Sequence, residues 1–364
     1  MRVLFYLGHP AHYHMLREPA MELRRKGHEV AFAVKAKDIL GELLAREEIE
    51  QIPMARVGRA KGTIPMAMHL IRREFVLWRL LRKRKFDLMV GTEPSIAHIG
   101  RLFGIPSIMM LEDDLSVIPL FAKVSFPFTN QILAPDSCEL GKWTKKKIGY
   151  PGYQKLSYLH PRIFEPDPAK VAHLRKDGRP YFLLRFSALD AHHDVGIEGL
   201  SDQLVRTVIE RLEARGNVYI SSERPVDSDL ERYRLKLPVE NIHHALYFAE
   251  IFLSDSQSMT VEAALLGTPS IRFSDFVGRI GVLEELEHRY QLTFGFRTNN
   301  AEGFLVKVDE LLVESNLRGD FRKRREVMLT EKIDVCEFWV WLFENYPDSV
   351  DVLHKDGRYI ERFS

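Results

Sequence analysis

The 364-residue chain has only two cysteines, Cys138 and Cys336, too few for a disulfide framework. Each reads as a structural thiol, which suits a reducing compartment, and the expected location is cytoplasmic. No apolar run approaches the ~18 residues of a membrane span. The start, MRVLFYLGHPAHYH, turns polar after a few residues and has no small-residue cleavage site, so no signal peptide is expected either. Neither sign of charge prevails: 52 basic residues face 51 acidic ones, for a net charge of +1. No global field therefore calls for nucleic acid or acidic substrates. G-x-x-x-x-G-K-[ST], G-x-G-x-x-G after a strand and G-x-S-x-G are all missing. Their absence argues against ATP hydrolysis, dinucleotide oxidoreduction and α/β-hydrolase chemistry.

What is present is an alternation of strand and helix. Val3 to Leu7 is a continuous apolar run, as expected of a strand buried on both faces. Gly8 to His14 reads as a loop, Leu16 to Arg25 as a helix ended by Gly27, and Glu29 to Val34 as a strand. The unit recurs as strand Phe86 to Val90, helix Ser95 to Phe103 and strand Pro106 to Leu111, with a further strand over Gln131 to Ala134. The Pro- and charge-rich stretch HPRIFEPDPAKVAHLRKDGRP reads as a linker. Beyond it come strand Tyr181 to Arg185, helix Leu200 to Arg215, short strands at Val218 to Ser221, Ile242 to Ala245 and Ile251 to Ser254, then a helix and strand Ser270 to Phe273. Glu337 to Tyr346 is an apolar helix that needs a cover. The expected fold class is α/β: two Rossmann-like, doubly wound domains with parallel sheets, facing a cleft. The domains span 1–160 and 161–335, and 336–364 forms a C-terminal helix and tail packing back on the first domain. Ligands in such sheets sit outside the carboxyl ends of the strands.

Chemistry-bearing residues cluster at those ends. In FLSDSQSMTVEAALLGTPSI, Ser258 reads as the N-cap of a helix closed by Gly267 and Pro269. Ser256, Ser258 and Thr260, with the free N–H groups of the helix start, could hold a phosphate or sugar hydroxyls; simple capping accounts for the same residues. His9, His12 and His14 follow the first strand, where a histidine could act as general base; a metal site and a structural role are the other readings. Glu93 and Glu112 close successive strands, as acid/base groups or as ordinary turn residues. Arg185 could pair with a phosphate or sit in an ion pair, and His192-His193-Asp194 follows in the next loop. His69 to Lys85 is a basic amphipathic helix with seven Arg or Lys and one Glu, either a membrane-surface element or a core helix with a solvated basic face.

The segment Asp255-Ser-Gln-Ser-Met-Thr-Val-Glu262-Ala-Ala-Leu-Leu-Gly267-Thr-Pro269 resembles D-S-G-G-x-x-E-E-A-x-x-x-G-x-P of the non-hydrolysing UDP-N-acetylglucosamine 2-epimerases. It is also similar to the nucleotide-sugar site of other glycosyltransferase-B-fold proteins, including the transferase that adds N-acetylglucosamine in peptidoglycan synthesis. Pro10-Ala-His-Tyr-His14 with Lys26-Gly-His-Glu-Val30, and Ala134-Pro-Asp-Ser-Cys-Glu139, match further segments of that superfamily. Residues 1 to about 345 most closely resemble an uncharacterised microbial family, domain of unknown function 354, itself glycosyltransferase-B-like. The resemblance implies a nucleotide-sugar donor, a hydroxyl acceptor and no required metal or cofactor. It implies that Glu262 holds the ribose and that Ser256 and Ser258 lie beside the diphosphate, with Arg185, Asp255 and Thr260 as further nucleotide-sugar-binding candidates. His12, Glu93 and Glu112 become the catalytic candidates, and His9, His14 and His192 complete the cleft. Departures from the epimerase pattern are Gln257-Ser258 for the glycine pair, Gly91-Thr-Glu93 for G-D-T, and Met109 to Asp114 for H-x-E-A-G-x-R, where only Glu112 stands in, shifted by one residue. Three readings follow: sugar transfer, epimerisation or hydrolysis of a nucleotide-sugar, and a non-catalytic scaffold. A homodimer and peripheral contact with the inner face of a membrane through 69–85 are further expectations; nucleic acid is not an expected partner.

Overall fold

The computed structural model describes residues 1–35, 49–54, 63–188 and 199–364. They form two units, Met1–Tyr158 with Lys332–Ser364, and Leu159–Glu331. In the first unit the strands are β1 (Arg2–Leu7), β2 (Glu29–Lys35), β3 (Glu50–Met54), β4 (Leu88–Gly91), β5 (Ser107–Met110), β6 (Gln131–Pro135) and β7 (Lys147–Tyr150). All pairs are parallel, in the order β3-β2-β1-β4-β5-β6-β7. The second unit has β8 (Tyr181–Phe186), β9 (Asn217–Ser222), β10 (Phe252–Ser254), β11 (Ser270–Phe273) and β12 (Phe294–Phe296), parallel in the order β12-β11-β10-β8-β9.

The helices are α1 (Pro10–Arg25), α2 (Thr63–Leu81), α3 (Pro94–Phe103), α4 (Pro119–Ser125), α5 (Leu156–Leu159), α6 (Asp202–Glu213), α7 (Ile242–Phe248), α8 (Gln257–Leu266), α9 (Gly281–His288), α10 (Ala301–Val313), α11 (Leu317–Thr330), α12 (Val335–Glu344) and α13 (Asp348–Lys355). Both sheets reverse direction of winding beside their first strand, between β1 and β4 in one unit and between β8 and β10 in the other. These are the switch points where a parallel sheet opens a crevice at its carboxyl edge. At the first of them the chains come very close: a Cβ on Gly91 would lie 2.9 Å from the Tyr6 carbonyl oxygen, so glycine is required there by contact.

The apolar helix near the end finds its cover within the first unit. Phe338, Trp339, Val340, Leu342 and Phe343 of α12 are buried, and the helix packs on α1. Phe343 meets Phe5 edge-on at 5.8 Å between ring centroids, and Trp339 meets Tyr150 at 6.0 Å.

Four local expectations are corrected. Ile242 to Ala245 is helix, the start of α7, with His243 to Leu246 buried; a short apolar run does not distinguish helix from strand by its period. The loop after β1 is only two residues long, because His9 caps α1 by accepting the Ala11 N–H and Pro10 fits its first position. The N-cap of α8 is Ser256, whose hydroxyl accepts from the Met259 N–H, and not Ser258. The basic helix begins earlier than His69 and ends at Leu81, with Ile71 and Phe75 exposed on it.

Candidate functional site

At the second switch point β10 delivers Ser254 and Asp255, and α8 begins directly after them. Asp255 is 1% exposed. Its carboxylate accepts from the Ser187 N–H at 2.6 Å and the Leu200 N–H at 3.3 Å, and pairs with Arg224 at 3.2 Å. Burial raises its pKa against the pull of those partners. Asp255 therefore ties the end of β8 and the approach to α6 to the start of α8. Gly199 makes room for it, since a Cβ there would lie 2.5 Å from Asp255 Oδ2.

Ser256 caps the helix while Ser258 lies exposed on its first turn. Thr260 is buried, and its hydroxyl donates to the Ser256 carbonyl at 2.6 Å, so it serves the helix itself. Glu262 sits in the second turn, 8% exposed, with its carboxylate 3.6 Å from His243 Nε2 on α7. With Ser256 as the cap, Glu262 lies three residues beyond the capping-box position, so capping does not account for it. Gly267 closes α8 in the left-handed region, φ 72°. Arg185, at the end of β8, donates to the Ser221 hydroxyl at 2.6 Å and pairs with Glu223.

A feature missed in the sequence lies under the helix start. Arg272, inside the otherwise uncharged strand β11, is fully buried. It donates to Gln257 Oε1 at 2.6 Å and lies 3.6 Å from Glu284 on α9, while its Nε and Nη2 make no hydrogen bond. Burial pulls its pKa down to about 10. Gln257 in turn donates to the Ser274 hydroxyl and the Asp255 carbonyl. The residue that stands where glycine was expected is thus clamped by three groups. A single cation inside a short, otherwise uncharged strand was the only signal in the sequence. Glu284, Glu287 and His288 bring ligand atoms within 4.8 Å of one another, but Glu284 already serves Arg272 and the Gly278 N–H, and Glu287 the Gly295 N–H.

In the first unit His12, in the first turn of α1, accepts from the Gly8 N–H at 3.2 Å and lies 3.1 Å from the Thr92 hydroxyl. Thr92 and Glu93 follow β4, so His12 and Glu93 share the first switch point. Glu93 is 3.1 Å from Arg73 on α2. Burial, and then the charge of Glu93, push the Tyr6 hydroxyl far above its ordinary pKa. Glu112 follows β5, accepts from the Gln154 N–H at 2.8 Å and pairs with Lys155. His14 packs its ring against Tyr13 and Tyr158, away from His12, and His9 is occupied as a cap. Asp190, His192, His193 and Asp194 lie outside the described residues.

Comparison with solved structures places this architecture. The Staphylococcus aureus MnaA–UDP structure matches with a TM-score of 0.66 at 12% identity, over 88% of this chain and 90% of that one. The glycosyltransferase of kitacinnamycin matches at 0.62 and 13% identity, over 94% and 98%. The Acinetobacter baumannii MurG structure matches at 0.56 and 11%, over 94% and 99%. The fold is the glycosyltransferase-B fold. At these identities the likeness concerns the fold alone. No protein-family model matches the chain, and no curated protein matches it in sequence.

Proposed function

We propose that the protein binds a nucleotide-sugar, UDP-linked, and passes the sugar to a hydroxyl acceptor without a metal. The observation that carries this reading is the α8 segment: a capped helix start at the carboxyl end of β10, with Glu262 one turn further in and unexplained by capping. In this reading Glu262 accepts from the ribose hydroxyls. The N–H groups of the first turn, the Ser256 and Ser258 hydroxyls and the remaining donors of Arg185 neutralise the diphosphate as it leaves. Asp255 holds the loops that frame it. Among the structural relatives are a UDP-N-acetylglucosamine 2-epimerase, glycosyltransferases and a UDP complex, which supports the substrate class.

The first unit takes the acceptor. His12 removes the acceptor proton as its oxygen bonds to the anomeric carbon and the bond to the diphosphate breaks. Thr92 orients the imidazole, and Glu93, paired with Arg73, follows it at the same strand end. Glu112, engaged by Lys155, serves the loop at 154–155. Replacing His12 with asparagine is expected to slow UDP release roughly 100-fold or more with UDP affinity unchanged; equal rates would remove His12 from the chemistry.

Calorimetry with UDP tests the reading directly. Saturable binding by the wild type is expected, and no binding of UDP or another nucleoside diphosphate would overturn it. Product analysis with UDP-N-acetylglucosamine alone separates the reactions: release of a 2-acetamidoglucal or a mannosamine product would favour epimerisation.

A further inference from the structure

The outer face of α2 is apolar and basic where a helix on a sheet is ordinarily polar. Met68, Ile71, Phe75, Trp78 and Arg82 follow one another at spacings of three and four, within an arc of about 80° on the helix. Met68 is 51% exposed, Ile71 62% and Phe75 56%. Phe75 stacks on Trp78 at 5.8 Å with an interplanar angle of 18°, and the Arg82 guanidinium lies over Trp78 at 4.9 Å. Arg72, Arg79, Lys83 and Lys85 are exposed alongside this stripe. The helix's single acid, Glu74, is turned away: it meets His98 Nδ1 at 2.5 Å, and His98 Nε2 reaches the Val124 carbonyl of α4. Leu77 and Leu81 hold the opposite face of α2 in the core. Next to it, α3 ends with exposed Arg101 and Leu102, the latter 68% exposed. Among the described residues no helix is long and apolar enough to cross a membrane, so this face can lie on a bilayer but not span it.

We propose that the α2 face docks the protein on an anionic lipid surface. The apolar stripe fits the boundary between headgroups and acyl chains, where aromatic rings are favoured, and the flanking Arg and Lys meet the lipid phosphates. Charge decides between a bilayer and a second copy of the chain: pairing two such faces about a twofold axis would set cation against cation.

Sedimentation of the full chain with vesicles tests this. Binding to phosphatidylcholine vesicles containing phosphatidylglycerol is expected to exceed binding to phosphatidylcholine alone at least tenfold. The Arg72→Ala/Arg79→Ala/Arg82→Ala variant should lose at least tenfold of that binding, as should Ile71→Ser/Phe75→Ser. Thermal melts check that both variants fold. Failure of the wild type to bind phosphatidylglycerol vesicles would overturn the proposal, as would variants that fold and bind equally well. A concentration-dependent dimer in solution that Phe75→Ser dissolves would also overturn it, in favour of a second copy on this face.

Discussion

Glu262→Ala is expected to weaken UDP binding roughly 10- to 100-fold, since a hydrogen bond to a charged group contributes about 1.5–3 kcal/mol. The sharper readout is sugar discrimination. The wild type should prefer UDP to its 2′-deoxy counterpart, and the variant should bind the two alike, because the lost acceptor is the one that reads the ribose hydroxyls. Glu262→Gln, which keeps an acceptor and the shape, should retain part of the preference. A loss equal for UDP and deoxy-UDP, with the preference intact, would remove Glu262 from the ribose. The His243 pair provides an internal control: at 3.6 Å with both groups buried, its loss alters the melting temperature but not the preference between the two nucleotides.

Asp255→Ala should cost about 3 kcal/mol, because the Ser187 and Leu200 N–H groups and Arg224 all lose one buried acceptor. For a unit of this size that is a fall in melting temperature of roughly 6–12 °C. The pH dependence has a definite sign. Burial raises the Asp255 pKa above its unfolded value, so the folded state binds the proton more tightly. The stability this contributes is fully present below the unfolded value and is lost as pH rises through the folded one. The stability gap between wild type and Asp255→Asn should therefore narrow as pH is raised through the acid range. Urea denaturation at a series of pH values measures it; a gap that widens instead would mean that the hydrogen bonds outweigh burial.

The order of strands and helices was readable because buried parallel strands carry continuous apolar runs such as Val3 to Leu7 and Tyr181 to Leu184, and because Gly27, Gly104 and Gly267 mark helix ends. Three strands escaped notice. Glu50–Met54 is mostly exposed, and Lys147–Tyr150 and Phe294–Phe296 are short and carry glycine, so none stands out from a turn. The α7 helix is too brief to show its period. In the candidate site, the residue types and their positions at strand ends were legible, but their partners were not. Asp255 meets Ser187 across 68 residues of sequence, and Arg272 finds Gln257 on the neighbouring helix. Pairings over such separations leave no local pattern. A serine suits the cap at either 256 or 258, and only the backbone, which turns at Ser256, decides between them.

The discontinuity of the first unit bears on how the chain comes to be folded. Met1–Tyr158 is completed by Lys332–Ser364, with all of Leu159–Glu331 made in between. During synthesis the residues that α12 will cover, among them Phe5 and Tyr150, wait for a segment made after the whole inserted unit. Domains usually mature from the amino terminus onward; here the amino-terminal unit finishes second. A stop codon near residue 331 would therefore harm the opposite end of the chain, stripping the first unit of its aromatic cover and leaving an apolar surface open to aggregation.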